Sequence, residues 1–262
     1  MEKKILYLLT CVGLCWSSCT NEVDEFIGNV EPSTRSVSTA LNANLASLFT
    51  GGAPTLTSAE IKEVNDAYAK MTSINCYRNI DEAVRNKTSY AGTIFLDDTY
   101  ASAYFRKGSL AFSPYGILAS SMEHEFIHMY QRDVQGKKVD TDKEKRDTGM
   151  MEFELAFYQG IIRYIHAGYS WTFKGEDGDP SYQSLWTSGL TDPSLIPQYE
   201  REFQTYVASI CANGKPTSID INEFVKWSNI FGEYSRGYSG KGYKFGNYDY
   251  GTSCINSLLK LY

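Results

Sequence analysis

Along this chain, stretches in which apolar residues recur every three or four positions alternate with short apolar runs and with polar segments that follow neither pattern. Thr57-Ser58-Ala59-Glu60 has the form of a capping box. Ile61, Val64, Tyr68 and Met71 follow on one helical face, which predicts a helix to about Met71. Thr93-Ile94-Phe95-Leu96 and Ser109-Leu110-Ala111-Phe112 read as two strands that pair antiparallel. Asp97-Asp98 stops the first and Ser113-Pro114-Tyr115-Gly116 the second. A helix is predicted from about Ile117 to Gln135, ended by Gly136, and another from about Thr148 to Ala167 after a charged loop. Trp171 to Leu195 is loop-like, Pro197 to Ala212 and Ile221 to Tyr234 are helical, and Ser235 to Thr252 is rich in Gly and Tyr. The pattern predicts an α+β fold, mostly helical, with a small antiparallel sheet beside the helix at 117–135.

The first residues follow a different logic. Lys3-Lys4, the apolar run Ile5 to Leu14 and Trp16-Ser17-Ser18-Cys19 read as a secretory signal, because the run is too short to cross about 30 Å of hydrocarbon. Small residues before a cysteine resemble a bacterial lipobox, with Trp16 where Leu is typical. That resemblance implies cleavage after Ser18 and lipidation of Cys19, which would discard Cys11 and Cys15; ordinary secretion with cleavage near Ser18 is the alternative. The acidic Thr20 to Glu25 resembles the export tags of outer-membrane lipoproteins, and no Asp follows Cys19. The expected location is therefore the outer membrane, with cell-surface display and a periplasm-facing placement both open. Residues 28–57 have the composition of a tether. The expected organisation is a signal peptide over 1–18, a lipidated, flexible N-terminus over 19–56, and one domain over 57–262.

A net charge of −6 without a basic run argues against nucleic acid as a partner. Cys76, Cys211 and Cys254 are odd in number and irregularly spaced, so they allow at most one internal bridge and offer no CxxC metal pattern.

The chemistry concentrates at His124-Glu125-Phe126-Ile127-His128, which uses two of the chain's three histidines. Residues i and i+4 share a helical face, so both imidazoles can reach one Zn²⁺ while Glu125 lies beside its open position. By rotation the two histidines fall with Ser121, Gln131 and Arg132 on a polar face, opposite Met122, Phe126, Met129 and Tyr130. The bland alternative is a surface helix that carries this spacing by chance.

A third ligand is needed. The metzincin pattern would place Gly at 131 and His at 134, where this chain has Gln131 and Val134. The gluzincin alternative directs attention to Glu152-Phe153-Glu154 on the next helix. Glu154 falls in the middle of an apolar face, where a carboxylate is costly unless paired or bound to metal; Glu152 shares the opposite face with Gln159 and Arg163, where a solvated salt bridge suffices. This selects Glu154 as the expected ligand, with a buried ion pair as its alternative explanation. His166 lies about 18 Å along the helix from Glu154 and is read as a surface or supporting residue.

His124 to Gln131, HEFIHMYQ, followed by Glu152-Phe-Glu154, resembles a group of exported zinc metallopeptidases of the zincin superfamily, with an HExxHxYQ helix and an N-x-E-x-E-A helix. Met150 and Leu155 stand where Asn and Ala are frequent. The resemblance covers about residues 90 to 165. It implies a zincin-like, gluzincin-type domain that holds Zn²⁺ through His124, His128 and Glu154, with Glu125 as general base for hydrolysis of a protein or peptide substrate. It also implies that an edge strand binds the substrate backbone, with Gly108 to Phe112 the candidate. A donor to the oxyanion is also needed, and among the many tyrosines, Tyr158 and the Tyr238 to Tyr250 loop included, the sequence selects none. The alternative is a non-catalytic surface lipoprotein that binds glycan or protein through its aromatic loops.

Overall fold

The computed structural model describes residues 40–100, 102–137, 145–166 and 190–262, the side chains of 145–147 and 166 excepted. The signal segment, Cys19, the charged loop and most of the stretch from Trp171 to Leu195 lie outside the described residues, as does the His166 side chain. The described chain is α+β, and helices dominate it.

The folded part begins before residue 57. Helix α1 (Ala43–Leu48) and the following Phe49 bury Leu45, Leu48 and Phe49 in the core, so this part of the segment expected as a tether belongs to the folded domain. Three spaced apolar residues in a Ser/Asn-rich segment are enough to dock one short helix. The capping box at Thr57 starts α2 (Ser58–Ser73), with the Thr57 N–H donating to Glu60 at 2.6 Å and the Glu60 N–H donating to Thr57 Oγ1 at 3.3 Å. Helix α3 (Asn75–Lys87) buries Cys76, Tyr77, Ile80 and Val84, a helical spacing that the expected elements left unassigned. Tyr68 on α2 donates to the buried Asp81 on α3 at 2.8 Å. Arg85 pairs with the same carboxylate oxygen, which places an opposite charge beside it between the two helices.

Strands β1 (Ile94–Leu96), β2 (Ala103–Arg106) and β3 (Ser109–Phe112) form a sheet in the order β1-β3-β2. β1 and β3 are parallel, with Ile94 opposite Leu110, which corrects the expected antiparallel pairing. The antiparallel partner of β3 is β2, joined to it by Lys107 and Gly108 at φ 52 and 78, as a two-residue hairpin turn requires. β3 is therefore central, and β2 is an edge.

Helix α4 (Ala119–Met129) packs against α2, α3 and β2. It continues into a π-turn, Tyr130–Val134, in which the Gln135 N–H donates to the Tyr130 carbonyl at 3.0 Å. Gly136 follows at φ 70. Helix α5 (Lys145–His166) runs through the core, and Phe153 and Phe157 pack on Phe224 of α7 (Ile221–Tyr234) at 5.0 and 5.8 Å. Between them come α6 (Ile196–Ile210) and the short pair β4 (Cys211–Ala212) and β5 (Lys215–Pro216).

The Gly/Tyr-rich segment after α7 is anchored to the core. Gly149 of α5 lies so close to it that an added Cβ would sit 2.7 Å from the Lys244 carbonyl oxygen. Tyr238 and Phe245 pack on Phe231 at 5.0 and 5.8 Å. A 3₁₀ turn (Tyr248–Tyr250) and α8 (Ser253–Leu259) complete the fold, and Asn79 of α3 donates to the Leu261 carbonyl at 2.6 Å. No helix among the described residues is long and apolar enough to cross a membrane.

Candidate metal centre

α4 presents His124 and His128 one turn apart on its cleft-facing side, with their Nε2 atoms 3.1 Å from each other. Glu152 of α5 completes the group. Its Oε1 lies 3.4 Å from His128 Nε2 and its Oε2 lies 3.8 Å from His124 Nε2. Nitrogen ligands about 2.0–2.1 Å from a tetrahedral zinc stand about 3.3–3.4 Å apart, so these separations fit three corners of such a site. Two imidazoles and a carboxylate are also a donor set that zinc takes.

This geometry groups Glu152, and not the expected Glu154, with the two histidines. Glu154 is fully buried, as its place on the apolar face of α5 demands, but its Oε2 accepts from Gln131 Nε2 at 2.8 Å and from the Tyr250 hydroxyl at 2.9 Å. Burial pushes its carboxyl upward, against bonds from Cys254, Gln131 and Tyr250. Hydrogen bonds from two other elements offset part of the cost that pointed to a metal, all at Oε2, while Oε1 has no hydrogen-bond partner among the described residues. The polar face that carries Glu152 looks into a cleft rather than into solvent. A polar helical stripe fits either surrounding, and the signal that points to Glu152 is its likeness to the polar His124–His128 stripe of α4.

Gln131 has an equally specific place. Its Oε1 accepts from His128 Nδ1 at 2.8 Å, and its Nε2 donates to Glu154 and to the Met151 carbonyl at 3.0 Å. The proton on His128 Nδ1 leaves Nε2 to face Glu152 and His124. Opposite Gln131, the Tyr238 hydroxyl donates to Glu152 Oε2 at 2.9 Å.

The charges follow from burial and proximity. Burial, and then the positive charge of His128, hold His124 below the ordinary histidine value. Burial acts in the same direction on His128, but the adjacent Glu152 outweighs it and holds His128 well above that value. Burial raises Glu152 while His128 pulls it down, and the net effect is a depressed carboxyl. The metal-free centre thus keeps a proton on His128 that a divalent ion would displace. Zinc binding at pH 7 is expected to release about one proton per site, and affinity is expected to fall by up to about tenfold per pH unit on acidification. Calorimetric titrations in buffers of different ionisation enthalpy measure the release; a value near zero would contradict the protonated His128.

Glu125 is the fourth group of the motif. It is buried, its Oε1 is 4.0 Å from His124 Nε2, and the Phe105 backbone of β2 is a hydrogen-bond partner. Burial raises its carboxyl, with the two histidines opposing. These groups line a cleft of about 290 Å³ together with residues 102–105 of the β2 edge, Arg132, Tyr238 and Tyr243.

The strand that borders the site is therefore β2, and the expectation for Gly108 to Phe112 is corrected because that strand is paired on both sides. Tyr158 is likewise excluded from the cleft: it is fully buried, edge-on to Tyr77 at 6.4 Å, with Cys76 beside it. Of the Tyr238 to Tyr250 loop, Tyr238 and Tyr243 reach the cleft wall. Cys76 and Cys254 are buried free thiols.

No known family's sequence profile matches the chain, no curated protein is similar to it, and no solved structure resembles it.

Proposed function

We propose that this protein is a zinc-dependent peptidase of the HExxH type that hydrolyses protein or peptide substrates in the cleft between β2 and α4. The observation that carries this reading is the position of Glu125. A buried carboxylate lies beside a two-histidine, one-carboxylate donor set and against the outer edge of β2, which is more than a structural metal site needs.

His124, His128 and Glu152 would hold the ion. When bound there, zinc supplies Lewis acidity and a lowered water pKa of about 7. The β2 edge aligns an extended peptide by strand addition, since residues 102–105 line the cleft and β2 pairs on its other side with β3. Glu125 accepts a proton from the attacking water at its carboxylate and returns it to the leaving amine. Its burial favours both halves, because a carboxylate shifted upward holds a proton more readily than a solvated one. Tyr238 keeps Glu152 oriented, and Tyr243 stands on the same wall within reach of the Glu152 field.

The test is metal analysis of the purified full chain combined with a mixed-peptide digestion read by mass spectrometry. The expected result is one zinc per chain and peptide cleavage that a chelator abolishes and zinc restores. Stoichiometric zinc without cleavage would favour the non-catalytic, binding-lipoprotein reading, and cleavage insensitive to chelation would place the chemistry elsewhere.

A further inference from the structure

The two glutamates of Glu152-Phe153-Glu154 leave α5 in different directions, and each receives a hydrogen bond from a tyrosine of the segment after α7. Tyr238 donates to Glu152 in the cleft, and Tyr250 donates to Glu154 in the core, both at 2.9 Å. From Glu154 the bonds run on through Gln131 Nε2 at 2.8 Å and Gln131 Oε1 to His128 Nδ1, again at 2.8 Å. Gln131 is itself fully buried, and its remaining amide proton is taken by the Met151 carbonyl. Turning that amide over would set a donor against His128 Nδ1–H and an acceptor against two acceptors, so its orientation is fixed.

We propose that Tyr250, Glu154 and Gln131 form a relay that positions His128, and that Tyr238 does the same for Glu152, so that the C-terminal segment is a working part of the metal centre. This rests on the metal reading above. A carboxylate with no exposure on an apolar helical face is expensive to keep, and leucine would fill such a position at lower cost. What Glu154 provides instead is an acceptor that holds Gln131 in the one orientation able to receive the His128 proton. The π-turn of α4 belongs to the same device, because Gln131 lies within it and bonds back to His128.

The experiment measures zinc affinity of the full chain by chelator competition, alongside melting of the metal-free protein. Tyr250→Phe is expected to weaken zinc binding about tenfold although Tyr250 donates to no residue of the donor set, within the about 10–100-fold range of outer-sphere losses. Tyr238→Phe is expected to act similarly. Glu154→Gln, which keeps an oxygen acceptor for both bonds, should stay within about threefold of wild type, whereas Glu154→Leu should lose at least as much as Tyr250→Phe. In a Gln131→Leu background, Tyr250→Phe should have no further effect on affinity, because its route to His128 is already cut. Full additivity of those two changes would overturn the relay. So would a Tyr250→Phe protein that melts earlier but binds zinc as wild type does, the result of a purely structural role. If Glu154→Leu does not fold, the Tyr250 and Gln131 pair decides the matter. A wild-type chain that binds no zinc would overturn the functional reading and this inference together; tight binding that is indifferent to both tyrosines would overturn the inference alone.

Discussion

Glu125→Gln is expected to bind zinc within about threefold of wild type and to lose peptide hydrolysis by a factor of at least about 100, the low end of general-base contributions. The carboxylate stands outside the three-donor group, which explains the retained metal. Glutamine matches its shape and can still accept from the Phe105 backbone, so the β2 edge should stay in place. It cannot take and return a proton. Parallel measurement of zinc content and turnover separates the two roles. Full activity in this variant would remove Glu125 from the chemistry, and loss of zinc would make it a ligand.

Glu152→Gln should lower zinc affinity by more than about 100-fold, beyond the range of outer-sphere changes, because it removes the anionic donor of the centre. Glu154→Gln should change it far less, and the ranking of the two variants is the decisive quantity. Metal-free stability should follow as well. The depressed Glu152 carboxyl contributes stability that is present above its ordinary value of 4.5 and lost as pH falls through the folded value. The raised His128 contributes stability that is complete below its ordinary value of 6.5 and lost as pH rises through the folded value. The pair therefore acts in full between those ordinary values, and Glu152→Gln should flatten that part of the metal-free pH profile. An unchanged profile would mean that the pair contributes nothing to the fold.

The histidine pair, Glu125, the capping box and the bounds of α7 were legible because each depends on spacing within one helix. The carboxylate that joins the histidines was not, because it depends on what another element lays against a helical face. Rotation separates Glu152 from Glu154 correctly and finds Glu154 buried, yet it carries no information that Gln131 and Tyr250 meet that carboxylate. Nor does it tell that β2, Tyr238 and Tyr243 roof the polar side into a cleft. The sheet shows the same limit. β2 has two tyrosine-sized rings, an arginine and only partial burial, so Ala103-Tyr104-Phe105-Arg106 lacks the apolar run that marks β1 and β3. Without β2 in view, the two visible strands read as a hairpin, whereas the segment between them is the hairpin partner and turns β1 parallel.

The bond from Asn79 on α3 to the Leu261 carbonyl spans 182 residues, and the bond from Lys137 to the Tyr250 carbonyl spans 113. Contacts of that separation form late, since their loop-closure entropy is met only once the intervening chain has been collected. A ribosome delivers His124, His128 and Glu152 well before Tyr238 and Tyr250, so a nascent chain holds the donor atoms without the tyrosines that orient them. The cleft around the two histidines and Glu152 is therefore completed only when the last part of the chain has docked.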